Sequence, residues 1–251
     1  GNTNYFSGLN SGNAVSLDGN LDGNNIGFGV NNQTNTTTYI TPATPAQAAI
    51  YNGYNNTSMG FNVLAANTVG SNNTAMGTDS MLKNTSGEYN TAMGFNTLTT
   101  NTNGINNTAI GVQSLLKNTI GQGNTGVGAW NLSANEDGNN NTAVGNTSLN
   151  RCTNSANTAI GSGSLSSTAG VATYGIANSA IGNNAGNSNT SGSNNTFLGA
   201  NTNVVRDDTS NNSTAIGFGA IITNSNQIMM GTATETVVVP GHLNVNNTLY
   251  V

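Results

Sequence analysis

A five-residue phrase returns along this chain every 17 residues, and no other feature restricts the fold so tightly. It stands at 56–60 as Asn-Thr-Ser-Met-Gly, then at 73–77, 90–94, 107–111, 124–128 and 141–145, with looser copies at 157–161, 178–182, 195–199 and 213–217. A short fixed period means one small unit stacked upon itself. The expected class is therefore an all-β solenoid rather than a globule. The full unit reads Asn-Thr-Ala-h-Gly-x-x-x-Leu-x-x-Asn-Thr-x-Gly-x-Asn, where h is Ile, Val or Met.

Asn (51 residues) and Gly (33 residues) make up about a third of the 251-residue chain. Both tolerate positive φ, so straight segments must be short. The alternation of apolar and polar positions predicts two short strands per coil, closed by Gly- and Asn-containing turns. Thr, Ile and Val favour extended backbone, and Thr, Gly and Asn stand where a helix would need good formers. Thr and h then share one strand face while Ala takes the other. The h and Leu columns are expected to fill the interior: Met59, Leu64, Met76, Met93, Leu98, Ile110, Leu115, Val127, Leu132, Val144, Leu149, Ile160, Leu165, Ile181 and Ile216, with Ile221 continuing the Leu column. The Ala column would face outward, toward a close neighbour. Two large apolar residues per coil bury little surface against the entropy of ordering a whole coil. Sister chains are expected to make up the difference.

The pattern divides the chain into three parts: 1–50, degenerate coils and a Thr/Pro-rich junction; 51–231, the repeat solenoid; and 232–251, closing or linking strands. Insertions break the period at 34–47 and 166–174, and such loops on a rigid scaffold are where binding residues concentrate. The first residue is Gly rather than Met, which reads as a processed or excised piece.

Nine acidic and four basic side chains give a net charge of −5. The cations Lys83, Lys117, Arg151 and Arg206 read as scattered, which argues against nucleic acid as a partner. No apolar run is long enough to span a bilayer, so no membrane insertion is expected. The single cysteine, Cys152, reads as an inert thiol. His242 lies in the closing segment with no Ser–His–Asp arrangement around it. Glu136-Asp137 and Asp207-Asp208 invite a calcium site or a glycosidase pair. Adjacent strand residues point to opposite faces, however, and solvated turn charges are the simpler reading. No catalytic residue, metal ligand or cofactor site is assigned, and no enzyme is expected. Thr rows on a flat face could order water, but stacked Asn amides holding turn geometry explain the polar columns better. Exposed aromatics stack on the apolar faces of sugars. The candidate receptor contacts are Tyr51, Tyr54, Trp130 and Tyr174.

The run Asn-Thr-Ala-Ile-Gly-Val-Gln-Ser-Leu-Leu-Lys-Asn-Thr at 107–119 resembles the 17-residue repeats of trimeric viral and phage tail-fibre proteins. It is similar, more distantly, to the heads of trimeric autotransporter adhesins. The stretch 226–231 followed by Val-Val-Val-Pro-Gly at 237–241 resembles the exit from such a fibre. The resemblance implies a left-handed parallel β-roll, a homotrimer, and a structural fibre or adhesin. Such a fibre would be displayed on a virion surface, or secreted or held at a cell surface, and would attach to a cell-surface glycan or protein receptor. The chain shows no chaperone domain, coiled-coil stalk or membrane anchor, which favours a fibre fragment or matured fibre. The rival expectations are a polysaccharide-depolymerising tail spike and a self-polymerising extracellular filament.

Overall fold

The structure, a computed structural model, describes residues 5–7, 26–30, 53–166, 175–205, 209–242 and 244. Thirteen parallel strands form one long sheet. They are β1 (Tyr5–Ser7), β2 (Ile26–Val30), β3 (Thr57–Phe61), β4 (Thr74–Thr78), β5 (Thr91–Met93), β6 (Thr108–Ile110), β7 (Thr125–Val127), β8 (Thr142–Val144), β9 (Thr158–Ile160), β10 (Ser179–Ile181), β11 (Thr196–Leu198), β13 (Thr214–Ile216) and β15 (Ile228–Met230). A second sheet pairs β12 (Asn203–Val204) with β14 (Ile221–Ile222). No helix occurs among the described residues. Each strand pairs with its copy in the next coil, Thr on Thr and Ala on Ala, as in Thr91↔Thr108 and Ala92↔Ala109. The chain is a parallel β-solenoid with the expected repeat as its coil.

Between β3 and β11 each coil carries one strand, not two. The Leu column lies in stacked turns, with φ of 52° at Leu64, 46° at Leu98 and 51° at Leu115. These turns bond from coil to coil as a sheet does: the Leu98 N–H donates to the Ser114 carbonyl at 3.1 Å and the Leu115 N–H to the Asn131 carbonyl at 2.8 Å. A second left-handed residue two places earlier, such as Asn96 (φ 54°), helps fold the corner. The left-handed region costs a Leu about 1–2 kcal/mol. Full burial of its side chain contributes about as much or more in return.

The interior differs from expectation in one respect. Leu64, Leu98, Leu115, Leu132, Leu149 and Leu165 are buried, together with Met81. The strand residue facing them is Ala, not h: Ala75, Ala92, Ala109, Ala143, Ala159, Ala180 and Ala215 are at most 1% exposed. The h column points outward. Met59, Met93, Ile110, Ile160, Ile181 and Ile216 are exposed, and Met76, Val127 and Val144 are half-buried. The reason is width. At Gly126, which stands in the Ala column, an added Cβ would lie 2.4 Å from Ser114 Oγ and 3.8 Å from Leu115 Cγ. Leu reaching across from the turn side already meets a methyl group at contact distance, and the Ser114 hydroxyl must turn aside to admit even that, so no larger side chain fits opposite.

One coil tests that rule by inverting it. Phe197 takes the Ala place in β11, and Gly186 takes the Leu place one coil earlier. A Cβ at Gly186 would come within 2.7 Å of Phe197 Cδ2 and 2.9 Å of Leu165 Cδ2. The bulk is simply supplied from the other wall. Near the end the second side becomes a true strand, β14, and its alternation buries Ile222 while Ile221 faces out.

Two buried Asn columns tie the coils together. In the first, the Asn124 N–H donates to Asn107 Oδ1 at 2.9 Å, and Asn107 Nδ2 donates to the Gly121 carbonyl at 2.8 Å. In the second, Asn118 Nδ2 donates to Asn101 Oδ1 at 2.8 Å and to the Gly121 carbonyl at 3.1 Å. The amides thus hold both the turns and the ladder, as the polar columns suggested.

Cys152 occupies a place in this second column. The buried Asn135 Oδ1 consequently has no donor, because the residue above it carries no amide. Burial pushes the Cys152 thiol up to about 11, with hydrogen bonds at Asn154 and Asn157 pulling weakly the other way. Such a thiol is protonated and inaccessible at neutral pH, matching the inert reading. Cys152→Asn should restore the missing bond and raise stability by about 1 kcal/mol. A rightward shift of the urea midpoint checks this; a fall would mean the shorter turn after Cys152 excludes an amide.

Candidate functional site

Three longitudinal surfaces follow from the coil. The first is the outer strand face. Here Thr57, Thr74, Thr91, Thr108, Thr125 and Thr142 run beside the h column, and Phe28 and Met230 extend the apolar row at either end. Ile110 is 38% exposed and Met59 44% exposed, and with half-buried Met76, Val127 and Val144 between and beside them the stripe is left uncovered by the other described residues. Strand pairing sets its spacing at about 4.8 Å per coil.

The second surface is the ridge that follows the first glycine of each coil. Phe61, Phe95, Val112 and Phe218 are exposed along it.

The third is the flank built on the Leu turns. Two outward columns run there, continuous through backbone bonds such as Lys83 N–H to the Thr99 carbonyl at 3.0 Å and Lys117 N–H to the Ser133 carbonyl at 3.2 Å. One column reads Ala65, Leu82, Thr99, Leu116, Ser133, Asn150, and the other reads Ala66, Lys83, Thr100, Lys117, Ala134, Arg151. Three of the four cations that read as scattered therefore stand in one file, on every second coil. Lys83 and Lys117 are exposed and Arg151 is half-buried. Their positions differ by twice the repeat, and that interval was the signal available in the sequence.

Trp130 lies at the edge of this flank and is 44% exposed. Its backbone is left-handed, φ 55°, where the equivalent residues are Asn62, Asp79, Asn96, Gln113 and Thr147. A bulky aromatic is an outlier there, and such outliers collect at functional positions. The indole Nε1 donates to Gln113 Oε1 at 2.6 Å, which fixes the ring. Asn150 Nδ2 donates to the Trp130 carbonyl at 2.7 Å, joining the ring's coil to the residue beside Arg151.

Of the other candidate contacts, Tyr54 is exposed at the corner just before its strand, not in the column that carries Trp130. Tyr89 is exposed on that corner too and was not singled out from the sequence. Tyr51 and Tyr174, like the insertion at 34–47 and all of the insertion at 166–174 except Ser166, lie outside the described residues. Glu136 and Asp137 are exposed in a turn, and His242 is exposed. Asp207 and Asp208 lie outside the described residues. Among the described residues no group of three or more His, Cys, Asp or Glu is placed to hold a metal ion. In the terminal stretch the Glu235 carboxyl is held below its usual range, chiefly by the Thr232 hydroxyl and then the Thr232 N–H. That contact closes a turn from Thr232 to Glu235.

No protein-family model matches the chain, and no curated protein is significantly similar to it.

Proposed function

We propose that the chain forms the shaft or head of an extracellular homotrimeric fibre, a left-handed β-roll displayed on a virion or cell surface, which attaches to a glycan receptor. The observation that carries this is the h column: one apolar residue per coil on a parallel sheet, left uncovered among the described residues. A surface with that repeat is matched in pitch by another copy of itself. Copies set parallel and in register around an axis bring Ile against Ile and Val against Val at every level. The number three comes from the resemblance of the 107–119 repeat to trimeric tail fibres. Each h residue so covered contributes on the order of 1 kcal/mol per chain. Ten or so levels then supply roughly 10 kcal/mol per chain, about 30 kcal/mol over a trimer, against two association steps at roughly 4–15 kcal/mol each. The Ala column has no part in this contact, and the thin single-chain core is thickened by its neighbours.

Light scattering tests the assembly. The expected mass is three times the 25.3 kDa chain, and a stable single-chain mass would overturn the reading. Ile110→Asp combined with Ile160→Asp places rings of like charge on the axis. It should lower the mass to single chains or abolish assembly, since an unpaired buried charge costs several kcal/mol. A trimer of native melting temperature would mean that this face is not the contact. Binding to immobilised surface polysaccharide, without shortening of its chains, distinguishes attachment from depolymerisation. Growth into filaments with concentration would favour end-to-end polymerisation instead.

A further inference from the structure

We propose that the flank bearing Lys83, Lys117 and Arg151 is a docking strip for a linear acidic polysaccharide that carries one carboxylate for every two sugars, with Trp130 as its stacking platform. This rests on the fibre being a glycan binder and names the class of glycan. Charge and spacing carry it. In a chain of net charge −5, three of four cations share one file. They stand two coils apart, ~9.6 Å at the ~4.8 Å rise of stacked strands. That interval is close to the length of two linked pyranose rings. The positions between them hold Ala66, Thr100 and Ala134, short side chains that leave room for the uncharged sugar. Half-buried Leu82 and Leu116 line one side of the file as a low apolar shelf.

None of the three cations makes an ion pair among the described residues; Lys83 and Lys117 are exposed and Arg151 is half-buried. The carboxylates nearest the file along the chain are Asp79 and Glu88, four and five residues from Lys83. Asp79 stands in the Trp130 column and accepts from Asn62 Nδ2, and Glu136 and Asp137 sit in the turn beyond Ala134, to one side of the file. Nucleic acid fits poorly, because a strand presents a phosphate every ~3.4 Å of rise. The indole of Trp130 is held by Gln113, in the coil that carries Lys117 on the same flank. A ring fixed in this way offers a flat face to a sugar at little entropic cost. In the proposed trimer the strand faces meet at the axis, and this flank stays in solvent.

The test uses the assembled protein at low ionic strength with three probes. These are hyaluronan, which carries one carboxylate per disaccharide, dextran, which is neutral, and hyaluronan at raised salt. Hyaluronan should bind, dextran should not, and salt should weaken the complex. Lys83→Gln, Lys117→Gln and Arg151→Gln should each weaken it roughly two- to five-fold, and the triple variant about ten-fold or more. Trp130→Ala should cost about ten-fold. Arg206→Gln, which removes the same charge from the fourth cation, should leave binding within about two-fold. Lys117→Ala with Ala134→Lys keeps the charge but spoils the interval, and should weaken binding as much as losing one cation.

Native melting temperatures confirm that these variants fold. Undiminished binding by the triple variant, equal binding of dextran, or indifference to the shifted lysine would overturn the proposal. A trimer that ignores hyaluronan would overturn the strip and leave the fibre standing. Hyaluronan binding by a single-chain species would support the strip and overturn the fibre.

Discussion

Gly111→Ala should destabilise the protein by about 4 kcal/mol or more, a large part of the 5–15 kcal/mol typical of a folded domain. Gly111 adopts φ 118°, a conformation that L side chains rarely reach. A Cβ there would lie 2.2 Å from the carbonyl oxygen of Gly128 and 2.7 Å from its carbonyl carbon. Both atoms are backbone, in the next coil, so no side chain can turn aside to admit the methyl. Relief would require the two coils to part, breaking ladder bonds such as Gly128 N–H to the Ile110 carbonyl at 2.8 Å. Thermal melting followed by circular dichroism checks the expectation. A shift of only a degree or two would mean that coils slide past one another freely, against the picture of a close-stacked backbone column. The same residue in Gly94 meets Gly111 in the same way, 2.3 Å from its carbonyl oxygen, so the effect should recur along the column.

Asn107→Ala should cost about 3 kcal/mol. The substitution removes Oδ1, which accepts the Asn124 N–H, and Nδ2, which donates to the Gly121 carbonyl. Both partners are buried. The Gly121 carbonyl keeps Asn118 Nδ2 as a donor, so the Asn124 N–H is the group left orphaned, at about 1–3 kcal/mol, and the lost bond to Gly121 adds about 1 kcal/mol. Asn107→Asp is the informative companion. It keeps an acceptor for Asn124 but brings a carboxylate against the Gly121 carbonyl, so it should be no better tolerated and should recover on acidification as the carboxyl regains a proton. Urea midpoints at two pH values measure both. Equal stability of native protein and Asn107→Ala would show that the amide column is incidental to the fold.

The repeat unit was legible because every coil poses the same local problem and solves it with the same residues. Asn at the ladder positions, Gly at the crowded corner and Leu four places later all keep the roles that their spacing suggests. The Leu turns were less legible. Nothing in a Leu announces a left-handed backbone, and only the pull of an interior that needs filling holds it there. The cation file was written in the numbers 83, 117 and 151, yet it becomes a file only when coils are stacked.

The sequence by itself determined that the chain coils, with what period, and which residues line up in columns, because a fixed repeat on a parallel ladder leaves no other register. It also separated the strand into two faces, Thr with h and Ala alone. Which of these faces inward was decided only by the tertiary structure. Alternation is symmetric between inside and outside, and hydrophobicity favoured the larger residue for the core. The coil is too narrow for that choice: with Leu already projecting from the opposite wall, the strand can offer only Ala. Ile, Val and Met are left on the surface for want of space.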